Sequence, residues 1–146
     1  MGLRWTSAHC KHAKFLLKTD DDVFVNIFNL VTLLRNQTEP AKMRLMCLLM
    51  TGSAIRKPGN KWRVSRQEYP NDTYPICCAG LAFVLTTDVA KALYEASFEI
   101  PFFWIDDVYV TGILASKAEV VSKTSNLCTN TEHSILMTCS VNQGAG

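Results

Sequence analysis

Lys14-Phe15-Leu16-Leu17-Lys18-Thr19-Asp20-Asp21-Asp22-Val23-Phe24-Val25 sets three adjacent carboxylates between two apolar runs. Neighbouring carboxylates repel one another, and beside buried residues they are costly unless something positive neutralises them. The segment Lys14 to Thr19 reads as a short buried strand closed by acids. Alternation along such a strand aims Asp20 and Asp22 to one side of the sheet edge. Hard oxygen ligands of this kind suit Mg²⁺ or Mn²⁺, above all when a phosphate fills the remaining coordination. The residues therefore point to a metal-diphosphate site at the carboxyl end of a strand.

Other homes for an aspartate-rich loop fit worse. A dehalogenase-type phosphatase loop, D-x-D-x-T/V, is broken by Phe24, and an EF-hand lacks its glycine at the sixth place, Val25.

Outward from the triplet, Val23, Ile27, Leu30, Val31 and Leu34 recur at helical spacing, predicting a helix from Val23 to Arg35 with Asp22 as its N-cap. Leu3 to His12 reads as the end of a helix anchored by Trp5. Thr38-Glu39-Pro40 breaks the chain before a second apolar strand, Met43 to Met50. Gly52 to Asp72 is polar, with a turn at Pro58-Gly59-Asn60 and a short strand at Trp62 to Ser65. A strand at Leu81 to Thr86 leads to a helix over Asp88 to Ser97, capped at Thr87 or Asp88, with Ala90, Leu93 and Tyr94 inward. A further helix runs from Asp106 to Lys117, followed by a strand at Val120-Val121 and a polar tail. Strands alternating with helices predict an α/β sheet with helices on its faces.

The bulk numbers exclude several classes. The 146 residues make one domain, and 48% hydrophobic with 19% charged residues is globular rather than disordered. A net charge of +2 with scattered Lys and Arg leaves no footprint for nucleic acid. No apolar run approaches the roughly 18 residues of a membrane span. Six cysteines without C-x-x-C spacing are either buried thiols or disulfides of a lumenal domain. The sequons at Asn36 and Asn71 favour the second reading.

A second acidic pair, Asp106-Asp107, opens a helix directly after Phe102-Phe103-Trp104. Plain helix capping is one reading. The other is a general base, because an aromatic wall of low dielectric raises a neighbouring carboxylate's pKa. A metal-bound leaving group together with a separate carboxylate base suits direct displacement at a sugar or phosphoryl centre.

Trp5 and Cys10, followed by Lys18-Thr19-Asp20-Asp21-Asp22-Val23-Phe24-Val25, match W-x4-C and K-x-DDD-x-F-V. Lys61-Trp62-Arg63-Val64-Ser65 with Tyr69-Pro70 and Tyr74-Pro75 matches K-W-x-V-S…Y-P…Y-P. Cys78-Ala79-Gly80-Leu81-Ala82-Phe83-Val84-Leu85-Thr86 is similar to C-S-G-G-G-Y-V-L-S, and Asp106 to Gly112 to E/D-D-V-Y-V-T-G. In order and spacing, from Trp5 to Gly112, these resemble the β-1,3-galactosyltransferases of glycosyltransferase family 31. The resemblance implies a GT-A, Rossmann-like fold and a type II membrane enzyme of the Golgi. It also implies inverting transfer from a UDP-sugar, galactose or N-acetylglucosamine, to a glycan acceptor with Mn²⁺. By position, Asp22 would hold the metal and Asp20 the ribose side of the donor. Asp21, Trp62 and Gly80 would join the donor side, with Asp21 supporting the turn. Asp107 would be the base, Asp106 its neighbour on the acceptor side, and Tyr74 and Trp104 aromatic partners of the acceptor sugar.

The chain also departs from the pattern. Leu81 and Ala82 stand for two glycines, Cys77 for a tyrosine, and His133 falls early for the family's downstream histidine. Family members carry an anchor, a stem and the first βαβ units ahead of W-x4-C, so residues 1–146 read as the C-terminal part of a catalytic domain. A second functional reading is a non-catalytic relative that binds glycan or assists folding.

Overall fold

A computed structural model describes residues 2–36, 42–120, 122–124 and 137–139, the last two stretches as backbone only. In chain order the elements are α1 (Gly2–His9), β1 (Phe15–Thr19), β2 (Val23–Val25), α2 (Ile27–Arg35), β3 (Leu45–Met50) and β4 (Cys77–Thr86). They continue with α3 (Thr87–Ala96), a π-helix (Val108–Leu114), α4 (Ala115–Lys117), β5 (Ser122–Thr124) and β6 (Met137–Cys139). Four strands form one sheet in the order β1-β4-β3-β5, and β2 pairs with β6 separately.

Burial along β4 explains the layers. Phe83 and Leu85 point into a core shared with Val89 and Leu93 of α3 and with Val108 and Leu114 of the π-helix. Ala82 and Val84 point the other way, against Leu30 of α2 and Met46 of β3. That two-residue alternation is what a central strand covered on both faces requires. Helices thus cover both faces, as the α/β reading expects. The pairing is less Rossmann-like than that label suggests: β1 and β3 both run antiparallel to β4, and only β3 with β5 is parallel. Residues 51–76 return the chain from β3 to β4 without a crossover helix, so those two strands meet head to tail.

The β3–β4 ladder is irregular where the motif glycine lies. Cys47 pairs with Phe83 and Leu49 with Cys78, so two steps along β3 oppose five along β4. The excess falls at Ala79 to Ala82 and bends the strand, as bulges do. A Cys47–Cys78 disulfide spans the irregularity, with Cα atoms 5.6 Å apart. Among the described residues Cys10 and Cys77 are free thiols, Cys77 buried and Cys10 half-buried, so a buried thiol and a disulfide are both present.

Several local expectations change. Asp22 is not a helix N-cap: Val23–Val25 forms a strand with β6, and Asn26 caps α2 by accepting the Asn29 N–H at 3.1 Å. Two β-branched residues around a phenylalanine outweigh the helical spacing there. Trp5 is no core anchor, being 60% exposed beside His9, while Thr6 is the buried residue of α1. Trp62 to Ser65 is turn and loop rather than strand, although Val64 is fully buried. Thr86, one residue earlier than expected, is the N-cap of α3, and Asp88 accepts the Val89 N–H. Tyr94 is half-buried, edge-on to Phe98. Beyond the last helix the strand is Ser122–Thr124; Val121 and His133 lie outside the described residues. Among the described residues no helix is long and apolar enough to cross a membrane.

Candidate active site

β1 ends at Thr19, so the triplet occupies the turn beyond the strand rather than its alternating face. The Asp20 N–H donates to the Leu81 carbonyl at 3.1 Å, extending the ladder by one bond. Asp21 and Asp22 then form a turn in which the Asp20 carbonyl accepts the Val23 N–H at 3.4 Å. Both of its carboxylates are exposed, whereas Asp20 is half-buried.

Leu16 faces the core under α3 and the π-helix, and Lys18, two residues on, shares its face of β1. Its Nζ donates to Asp20 Oδ1 at 2.6 Å and to the Gly80 carbonyl at 2.7 Å. Asp106 Oδ2 lies 3.6 Å from the same ammonium. One lysine therefore joins the two acidic clusters, which are more than 80 residues apart in sequence. Lys18 stands in the quoted motif, yet nothing in the sequence gave it a role. The one local hint is a cation two residues before an acid, which on a strand means the same face.

Asp106 and Asp107 open the helix as expected, but its body is π-helical over Val108–Leu114. The wider turn is rare and is frequent at functional sites. Asp107 Oδ1 accepts the Val108 N–H at 2.8 Å, as the capping reading expects. Thr111, buried in the π-helix, ties this end to the sheet: its hydroxyl donates to the Asp107 carbonyl at 2.6 Å and accepts the Cys78 N–H at 2.8 Å. Gly112 sits so close to the loop before β4 that an added Cβ would lie 3.0 Å from Pro75 Cγ.

Asp107 is half-buried and Asp106 exposed. Burial pushes the Asp107 carboxyl above the usual range and the Asp106 charge adds to it, against the Val108 amide and the charge of Lys18. Gly80 makes this placement possible, because a Cβ there would stand 3.1 Å from Asp107 Oδ2. Cys77 and Tyr74 feel the same carboxylate. Burial first and Asp107 second raise the Cys77 thiol to about 11, and burial raises the Tyr74 phenol.

The aromatic wall is only partly as expected. Phe103 is buried against Tyr69 and Tyr74, whereas Phe102 is 80% exposed. Trp62 and Trp104, expected on opposite sugars, stack on each other at 5.9 Å with planes 7° apart. Lys61 covers the Trp62 ring at 4.7 Å. Tyr74 belongs to the same aromatic cluster through Phe103, and its hydroxyl is buried without a hydrogen-bond partner among the described residues. Leu81, at a family glycine position, is on the surface at 36% exposure. A cleft of about 830 Å³ opens between α1, β1 and the π-helix, with Lys18, Thr19 and Asp106 among an otherwise largely apolar lining.

Among the described residues no group of three or more His, Cys, Asp or Glu could hold a metal ion alone. The exposed carboxylates of the turn fit a different arrangement, in which one or two acids share a hard cation with a phosphate ligand. Five carboxylates, Asp20 to Asp22 with Asp106 and Asp107, outnumber the Lys18 ammonium and the Arg4 guanidinium of the cleft, so a bound cation would ease the approach of an anionic ligand.

The geometry thus sets one acidic turn, open to a ligand, near a second, half-buried carboxylate. A galactosyltransferase family model matches residues 1–126, and the chain belongs to that family. It is similar to human Beta-1,3-galactosyltransferase 1, 37% identical over 111 residues, which is 75% of this chain and 34% of the human protein. The mouse protein of the same name matches equally. Chimpanzee Beta-1,3-galactosyltransferase 5 is 37% identical over 110 residues, 75% of this chain and 37% of that protein. The chain thus spans just over a third of the length of these relatives.

Proposed function

We propose that the chain carries the catalytic centre of an inverting β-1,3-hexosyltransferase. It would move galactose, or N-acetylglucosamine, from a UDP-sugar to a glycan hydroxyl, on the lumenal side of the Golgi membrane. The names of its relatives favour galactose. The observation that carries the reading is that Lys18 joins Asp20 of the aspartate turn to Asp106, the chain neighbour of the half-buried Asp107. Inverting displacement needs a leaving group on one face of the anomeric carbon and a base on the other.

In this reading Asp22 holds Mn²⁺, Asp20 lies toward the ribose, and Asp21 keeps the turn. Charge neutralisation of the departing diphosphate is the chemistry Mn²⁺ supplies there. Asp107 takes the proton from the acceptor hydroxyl as the new C–O bond forms. Its raised pKa makes it a stronger base than an exposed carboxylate, while the nearby Lys18 charge helps keep it ionised. Asp106 is exposed and paired, so it orients rather than accepts. Gly80 leaves room for donor and base together. The stacked Trp62 and Trp104 offer one aromatic platform for a sugar face, with Tyr74 behind it through Phe103. Exposed Asn36 and Asn71 carry N-glycans in that compartment.

UDP release from UDP-galactose with Mn²⁺, water standing in for the acceptor, tests the reading. Turnover that requires Mn²⁺ and disappears in Asp107→Asn is expected. Failure of the folded wild-type chain to turn over overturns it.

A further inference from the structure

Among the described residues, Lys18 is the side chain that touches both acidic clusters. Its three contacts go to three different elements. The first is Asp20, at the start of the acidic turn. The second is the Gly80 carbonyl, presented by the irregular stretch of β4; Gly80 is also the surface against which Asp107 Oδ2 rests. The third is Asp106, on the helical turn that carries Asp107. The side chain is 28% exposed, and its Nζ lies 5.8 Å from the Phe83 ring centroid, so the stem runs along apolar surface with the ammonium aimed at the acids.

We propose that Lys18 is a positioning residue that sets the spacing between the leaving-group half and the base half of the site, an inference that rests on the transfer chemistry above. Displacement at a sugar carbon depends on the base and the leaving group being held in line on opposite faces. Asp20 and Asp107 are also connected through the β1–β4 ladder, the Thr111 bridge to Cys78 and the packing of Asp107 on Gly80. The ammonium adds a direct strut from the aspartate turn to the turn that carries Asp107. A residue acting through geometry affects the rate of the chemical step and leaves donor affinity largely alone.

The test uses the full chain, Mn²⁺ and UDP-galactose, and separates kcat from KM. Lys18→Met should lower kcat about 100-fold, as a displacement of ~1 Å does, with donor KM changed by less than about threefold. Lys18→Arg keeps the charge and the donors and should recover about a tenth of the wild-type rate or more. Lys18→Met with Asp106→Asn restores the charge balance at the pair without restoring the strut, and should stay as slow as Lys18→Met. Recovery in that double variant, or a loss carried by KM, would make Lys18 a counter-charge or a donor ligand and overturn the positioning role.

Thermal unfolding of the same proteins without donor reads the strut independently of turnover. Asp20→Asn should lower the melting temperature by about 2 to 4 °C in the wild type and leave it unchanged in Lys18→Met. Equal losses in both backgrounds overturn the strut. An inactive wild type that still shows the coupling overturns the transferase reading instead.

Discussion

Asp21 and Asp22 lie exposed in a turn at the open end of β1, held by one long backbone hydrogen bond. Asp107, with the same functional group, is half-buried at the mouth of a π-helix that Thr111 fastens to β4. The first arrangement is cheap to build, since water solvates the charges until a ligand arrives. The second has a desolvation cost in the empty protein, visible as the raised pKa. The difference teaches where preorganisation is invested. The part that gathers diphosphate can be completed by cation and substrate, whereas the part that moves a proton must already be in place.

Asp107→Asn probes the costly half and should have the largest effect, lowering transfer about 10²- to 10⁴-fold with UDP binding intact. The same change should stabilise the fold. A carboxyl whose folded pKa is raised binds its proton more tightly than in the unfolded chain, so its contribution to stability falls as pH rises through the folded pKa. Asn removes that penalty, and the variant should melt above wild type at pH 7. In the wild-type enzyme the rate should fall as pH drops through the same raised pKa, because the base becomes protonated. A lower melting temperature for Asp107→Asn would remove the contrast between the halves.

Asp22→Asn probes the other half. It should abolish the Mn²⁺-dependent part of UDP binding, measured by calorimetry, with no change in melting temperature in the absence of ligand. Unchanged binding would move the metal ligand elsewhere. Gly80→Ala narrows the gap between the two: its Cβ would stand 3.1 Å from Asp107 Oδ2, so the carboxylate must shift by a few tenths of an ångström. About a tenfold fall in kcat is expected, with KM for UDP-galactose unchanged. Thr111→Val should show the smallest catalytic effect. It leaves the buried Cys78 N–H unpaired, costing about 1–3 kcal/mol in urea unfolding. Thr111→Ser should restore most of that loss.

Much of this was legible in the amino-acid order. The apolar run ending at Thr19, the helix start at Asp106 and the strand through Leu85 are written in local periodicity, and the structure has them within a few residues. Asp22 as an N-cap fails because the partner of Val23–Val25 is a strand more than a hundred residues away, which no local window contains. Trp5 fails because a large apolar residue in a short helix has no stated direction without its neighbours. The π-helix is invisible for a related reason. Val108 to Leu114 is an ordinary helical sequence, and the wide turn reflects how Thr111 and Gly112 meet β4 and the loop before it. The two acidic clusters were found by composition, but what connects them was not. A lysine beside aspartates usually means a solvated ion pair, and only the bend of β4 brings the Gly80 carbonyl within its reach.

The Thr111 hydroxyl has one further consequence. The Cys78 amide proton it accepts is buried, and solvent deuterium reaches it only when β4 and the π-helix part. The exchange rate of that one proton therefore measures how often the turn carrying Asp107 comes loose. The chain contains its own clock for the seating of its base, readable without substrate.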